Sequence, residues 1–242
     1  LHVSPTAQLL FENVTVPKEN VIAEVGDGYR KVLERLMGMR VGVSFQGIAA
    51  AKRLFLEAFQ YAKTREQFKR PIIQFPIIEN KLREMMRTIP RMEEYGYRAA
   101  YTLDRYNRGW IPADVGAGGK EGPEKQAASM VPGAVRGGLA HHFVSSAKIY
   151  TSEVVNQMAY DATQIFGGNG FVAEYEVNKV MRDVRVLAIY EGTSEIHNQI
   201  LNKTQKAVAM IPNLKRLSES FEGTTVYERI MYERFPDLKN LI

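Results

Sequence analysis

A chain of 242 residues with 45% hydrophobic content carries enough apolar side chains for one sizeable core, or one and part of a second. No apolar run approaches the roughly 20 residues that cross a bilayer and the first residues do not read as a signal peptide, so no membrane span and a cytoplasmic location are expected. With no cysteine the chain has no disulfide, thiol nucleophile or thiolate metal site, and redox chemistry would need a cofactor; the net charge of +5 favours anionic partners without choosing among them.

In chain order, the stretch from Leu9 to Val16 alternates apolar and polar residues after Phe11 and stops at Pro17, which predicts a strand. Nothing nearby resembles a second strand, so the segment reads as an orphan whose ladder partners lie in sequence beyond this chain. From Asp27 the period is helical. A short helix is predicted over 28–38 and a longer one over 40–63, with Ile48, Ala51, Phe55, Ala58, Phe59 and Ala62 on one side. A loop with Arg65, Gln67, Phe68 and Pro71 leads to a helix over 76–106, which Pro90 should kink or divide. Residues 109–138 hold eight glycines with Pro112, Pro123 and Pro132 and read as a surface excursion, with a short helix over 124–130. Helices are then predicted over 139–166, 177–184 and 194–207, the first ending at the Gly167-Gly168-Asn169-Gly170 run. An amphipathic piece over 226–235 has no clear partner. The sum is an all-α chain, an up-and-down four-helix bundle with an N-terminal orphan β-strand segment.

Several motifs are weak alone. Arg65 to Pro71 sets cations, an amide and an aromatic in one loop, which suits phosphate oxygens and a planar ring, but spacing alone favours a solvated basic loop. Gln164-Ile165-Phe166-Gly167-Gly168 would let a backbone approach a ligand, yet an ordinary helix stop explains it as well. Gly119-Lys120 lacks the hydroxyl residue of a phosphate-binding loop, because Glu121 stands there. His141 and His142 diverge on a helix and cannot chelate one metal together, and no metal site is expected. Met85, Met86 and Met92 read as core.

The strongest signal is the segment from Arg182 to Ile196. It sets one carboxylate, Glu191, between an apolar run and Gly192, with Thr193 two places later able to open a helix. Apolar neighbours penalise a charged carboxylate and move it towards the range in which a general base works near neutral pH.

Five separated segments, in order, resemble the acyl-CoA dehydrogenase family of flavoproteins from about Leu10 to Ala207. They are Phe11 to Pro17 with Gly26-Asp27-Gly28-Tyr29, then Arg40 and its helix, Tyr61 to Phe68, Gln164 to Phe171, and Met181-Arg182-Asp183 leading into Ile189 to Thr193. The resemblance implies that residues 1–26 end a middle β-domain. Residues 27–210 then form the C-terminal helical bundle, interrupted by a glycine-rich insertion over 109–138, and 211–242 form an extension.

It further implies an FAD-dependent enzyme in which Glu191 removes the α-proton of an acyl-CoA while hydride leaves the β-carbon for the flavin, giving a trans-2-enoyl-CoA. In the family the thioester carbonyl is hydrogen-bonded by the base's own backbone N–H and a flavin ribityl hydroxyl. Some relatives place the base next to the arginine that Arg40 matches, but Met39 stands there and favours Glu191. Arg40, Tyr190 and Gly192 match substrate positions. Arg65, Gln67 and Phe68 match positions that reach FAD across a subunit interface, Gln164, Ile165, Phe166, Gly167 and Gly168 match the loop along its adenosine end, and Thr193 and Glu195 match further FAD contacts. A homodimer or dimer of dimers is implied, with electron-transferring flavoprotein as redox partner, and this chain alone is expected to be inactive. Departures are Lys69 in place of glycine, Pro90 inside its helix, Glu176 in place of proline, and the long insertion. An acyl-CoA oxidase, or a non-catalytic relative that binds DNA, are the rival readings, the second motivated only by charge.

Overall fold

The structure, a computed structural model, describes residues 5–107 and 133–209. Five helices, α1 (Gly28–Thr64), α2 (Pro76–Asn107), α3 (Gly133–Phe166), α4 (Glu176–Val184) and α5 (Ser194–Ala209), make an all-α fold. The helix α3 packs against all of the others, and α1 packs against α2. No described helix is long and apolar enough to cross a membrane.

The core follows from the helical period. On α1, Ala51, Leu54, Phe55, Ala58, Phe59 and Ala62 are all buried, and they meet Leu82, Met85, Met86, Ile89 and Met92 from α2 and Val155, Met158, Ala159 and Ala162 from α3. The three methionines are core, as their spacing suggested. At Gly47 the backbones of α1 and α3 approach so closely that a Cβ would lie 3.1 Å from the Thr151 carbonyl oxygen, which sets how deeply the two helices interlock. A second cluster, Met37, Ala99, Leu103, Ala140, Val144 and Ala147, fills the opposite end of the bundle.

Four expectations are corrected. The two helices over 28–38 and 40–63 are one, because Met37 and Arg40 are buried on either side of Gly38. Their packing outweighs the roughly 1 kcal/mol that an interior glycine costs a helix. Of the kink or division expected at Pro90, the division does not occur: α2 runs on past it with Ile89, Pro90 and Met92 all buried. The segment 9–16 forms no strand. Every residue from 5 to 22 is exposed, and a ladder needs a second strand that the described residues do not supply. The loop after α1 is a small antiparallel hairpin, β1 (Glu66–Gln67) with β2 (Arg70–Pro71). Phe68 and Lys69 occupy its two-residue turn with φ of 51° and 65°, the backbone that Asn-Gly usually supplies.

Boundaries elsewhere match the period to within a residue or two, except that α3 starts at Gly133 and takes in the last glycines of the 109–138 stretch. The short helix over 124–130 and the amphipathic piece over 226–235 lie outside the described residues. Pro76 opens α2 at the position where its missing N–H has no cost, and Gly167, with φ of +60°, follows the last residue of α3.

Candidate active site

The residues from α4 to α5 build a turn around Glu191. After α4 the chain winds one tight 3-10 turn, Arg185–Ala188, and both Ile189 and Tyr190 donate their N–H groups back to the Val186 carbonyl. The next two residues leave the helical region altogether. Glu191 has φ of +57° and Gly192 φ of +102°. For glycine this is inexpensive; for a glutamate it costs about 1–2 kcal/mol, and such strain is retained where surrounding contacts over-determine it. Thr193 then opens α5, its hydroxyl 3.5 Å from the Ile196 N–H and its carbonyl accepting from the His197 N–H at 3.1 Å. The Glu195 carboxyl is held below its usual range by its own backbone N–H and by the Thr193 hydroxyl.

Three buried donors from three helices hold the two carbonyls of this turn. From α1, Arg40, only 5% exposed, donates Nε–H to the Glu191 carbonyl at 2.9 Å. His197 of α5, fully buried, reaches the same carbonyl through Nε2 at 3.2 Å. From α3, Lys148, also fully buried, donates to the Gly192 carbonyl at 2.6 Å. The contacts fix the histidine tautomer: facing a carbonyl, Nε2 carries the hydrogen, and Nδ1 accepts from the Ser145 hydroxyl at 3.0 Å. Burial, together with the Arg40 and Lys148 charges, takes His197 down to about 4, so it is neutral at physiological pH. Burial also lowers Arg40, against the Glu191 charge, and takes Lys148 down to about 8, against Glu153.

Around this cradle, the Tyr190 hydroxyl donates to Gln46 and the Ser194 hydroxyl to Glu153. Glu191 itself is half-buried, and its Oε2 is buried with no hydrogen-bond partner.

The residues singled out in the sequence fall into two groups. Glu191, Tyr190, Gly192, Thr193, Glu195 and Arg40 lie in or against the turn. Arg65, Gln67, Phe68 and the 164–168 stretch gather at the other end of α1, where Phe166 stacks on Tyr61 with ring centroids 4.1 Å apart and Asn169 bonds the Tyr61 hydroxyl at 2.9 Å. Arg40 and Arg65 stand about 37 Å apart along α1 at about 1.5 Å per residue. At that far end Arg65, Gln67, Gln164, Gly167 and Gly168 are exposed and Phe68 is 87% exposed, whereas Ile165 and Phe166 are core and offer a ligand only their main chain. Among the described residues no group of three or more His, Cys, Asp or Glu side chains could hold a metal ion. His141 and His142 are half-buried, and His142 pairs with Thr204 at 3.0 Å.

Sequence reasoning missed Lys148, His197 and Ser145. A signal for the first was available: Lys148 sits on the same helical stripe as Val144, Ala147, Thr151 and Ser152, so the period already puts a lysine on the core face.

The family model for the acyl-CoA dehydrogenase C-terminal domain matches residues 26–115 and 125–205. The chain belongs to the acyl-CoA dehydrogenase family. Among its relatives in that family, the 3-(aryl)acrylate reductase of Clostridium sporogenes is 33% identical over 197 residues, 81% of this chain and 44% of the relative. The CarC subunit of the caffeyl-CoA reductase-Etf complex of Acetobacterium woodii is 32% identical over the same shares of the two chains. The solved acyl-CoA dehydrogenase of Bacillus anthracis, complexed with FAD, superposes with a TM-score of 0.64 at 31% identity over 83% of this chain and 33% of its own. The chain thus spans less than half the length of the family members it matches.

Proposed function

We propose that this chain is the base-bearing C-terminal part of an FAD-dependent acyl-CoA dehydrogenase, with residues 1–26 ending its middle β-domain, 27–210 forming the helical domain and 211–242 an extension. The observation that carries the reading is Glu191, a half-buried carboxylate on a strained turn whose Oε2 is buried without a partner. Leaving such an atom unpaired costs about 1–3 kcal/mol, and a ligand proton is what it is placed to accept. Glu191 takes the α-proton of the acyl thioester, and its own backbone N–H, set by the same turn, holds the thioester oxygen as negative charge develops there. Tyr190 and Gly192 flank the substrate. Arg40 acts on it through the Glu191 carbonyl that it holds.

The exposed groups at the far end of α1 fit FAD by chemistry: Arg65 for phosphate oxygens, Phe68 for a planar ring, Gln67 and Gln164 for polar edges, and Gly167 and Gly168 for close backbone approach. Thr193 and Glu195 add contacts near the base. FAD, when bound, accepts the hydride from the β-carbon. Because the Arg65 group lies so far along α1 from Arg40, it serves the site of a second subunit, which calls for a homodimer or a dimer of dimers. Electron-transferring flavoprotein is the redox partner, a choice supported by the relative that is a subunit of an Etf complex.

Two reductases among the relatives favour a second reading, in which the same residues run in reverse and Glu191 donates the α-proton to an enoyl thioester. The test is anaerobic. With the intact protein, acyl-CoA thioesters are expected to bleach the yellow flavin, and Glu191→Gln to slow the bleaching by about 10²- to 10⁴-fold; a variant that still bleaches at the wild-type rate removes Glu191 as the base. Reoxidation of the bleached protein by an enoyl-CoA, compared with oxygen and electron-transferring flavoprotein, separates reductase, oxidase and dehydrogenase.

A further inference from the structure

We propose that Lys148 is a positioning residue for Glu191, a buried clamp that removes the swivel freedom of Gly192 and so fixes the direction of the base. The inference rests on the reading of Glu191 given above.

Its ground is the order of backbone units in the turn. The carbonyl of Glu191 is held twice, by Arg40 at 2.9 Å and His197 at 3.2 Å, which orients the peptide plane between Glu191 and Gly192. The next plane, between Gly192 and Thr193, hangs on a glycine at φ of +102°, a residue with little intrinsic resistance to rotation. A stiffer residue there would be strained by that φ, and its Cβ would lie 3.1 Å from His197 Nε2, which would have to give by a few tenths of an ångström. Restraint has to come from a donor to the Gly192 carbonyl. Lys148 provides it at 2.6 Å from the neighbouring helix α3, across 44 positions of sequence.

A lysine in this place is expensive. It is fully buried and burial lowers it to about 8, against the charges of Glu153, Glu191 and Glu195, yet among the described residues its one hydrogen bond goes to a neutral carbonyl and none of those carboxylates pairs with it directly. A group contributing to stability alone would be bonded directly to a carboxylate or replaced by an apolar side chain of similar length. The charge-assisted bond is instead aimed at the second carbonyl of the base turn, and Arg40, His197 and Lys148 together pin two successive peptide planes. Supporting groups of this kind decide whether a reacting side chain stands within a fraction of an ångström of its working position.

The experiment compares wild type, Lys148→Met, Glu191→Gln and the double variant of the intact protein by amide hydrogen exchange without substrate and by single-turnover flavin reduction with an acyl-CoA. Lys148→Met keeps an unbranched four-atom stem and removes the terminal donor. The expected result is exchange of the Ile196 and His197 amides, which donate to Thr193 at the end of the turn, accelerated at least about tenfold with α3 unchanged, reduction slowed by about 10- to 100-fold with substrate affinity within about twofold, and a double variant no slower than Glu191→Gln alone. Unchanged protection of those two amides, or rate losses that multiply in the double variant, would overturn the proposal. Should Lys148→Met not fold, Lys148→Gln, a shorter neutral donor, is judged by the same two outcomes. A wild type that no acyl-CoA reduces counts against the proposed function alone, and the exchange measurement then decides the clamp by itself.

Discussion

Glu191 is a glutamate in a glycine's conformation, and that has a measurable consequence. At ordinary helical or extended positions alanine stabilises a protein relative to glycine by about 0.5–1 kcal/mol, because glycine loses more freedom on folding. At φ of +57° the order reverses. A Cβ in the left-handed region costs about 1–2 kcal/mol, so after subtracting the glycine entropy Glu191→Gly is expected to be more stable than Glu191→Ala by roughly 0.5–1 kcal/mol. Both variants remove the carboxylate and its unpartnered oxygen, so those effects cancel in the comparison. For a chain of this size the difference amounts to about 1–4 °C in Tm. Urea unfolding of both variants at pH 7, followed by far-UV circular dichroism, measures it as a shift in midpoint at unchanged m. If Glu191→Ala equals or exceeds Glu191→Gly in stability, the turn is not left-handed at Glu191 and the account of its strained geometry is wrong.

The hairpin after α1 carries the same kind of strain on the surface. Lys69, exposed at φ of 65° in the second central position of the turn, is expected to gain about 0.5–1 kcal/mol on Lys69→Gly; a thermal scan showing a loss would exclude that turn geometry. For His197 the folded value, about 4, lies below the ordinary 6.5, so between those values the unfolded chain binds the additional proton. Its contribution to stability is therefore complete above about pH 6.5 and is lost as pH falls towards 4. Between pH 7 and pH 5 this amounts to roughly 2 kcal/mol, which His197→Gln should remove from the wild-type pH dependence. Parallel stability curves for the two proteins over that range would show that His197 is not buried neutral.

Helix boundaries were legible because they depend on neighbours within a turn or two. The spacing of Ala51, Phe55, Ala58, Phe59 and Ala62, the stop at Gly167 and the helix start at Thr193 are local facts, and the structure reproduces them. The family was legible too, since it is carried by short segments in a fixed order. What failed in the reading was decided at a distance. Gly38 and Pro90 are local breaks that tertiary burial of Met37, Arg40, Ile89 and Met92 overrides, and the segment 9–16 has a strand's pattern without a strand's partner. The site divides in the same way. A carboxylate before a glycine names Glu191, but the left-handed turn that presents it is held by Arg40, Lys148 and His197, from three different helices. Each bond ends on a backbone carbonyl, which every residue possesses, so it leaves no mark in the amino-acid sequence. Only packing α1, α3 and α5 together brings those donors to the turn, and the length of α1 carries the Arg65 group to the opposite end of the bundle.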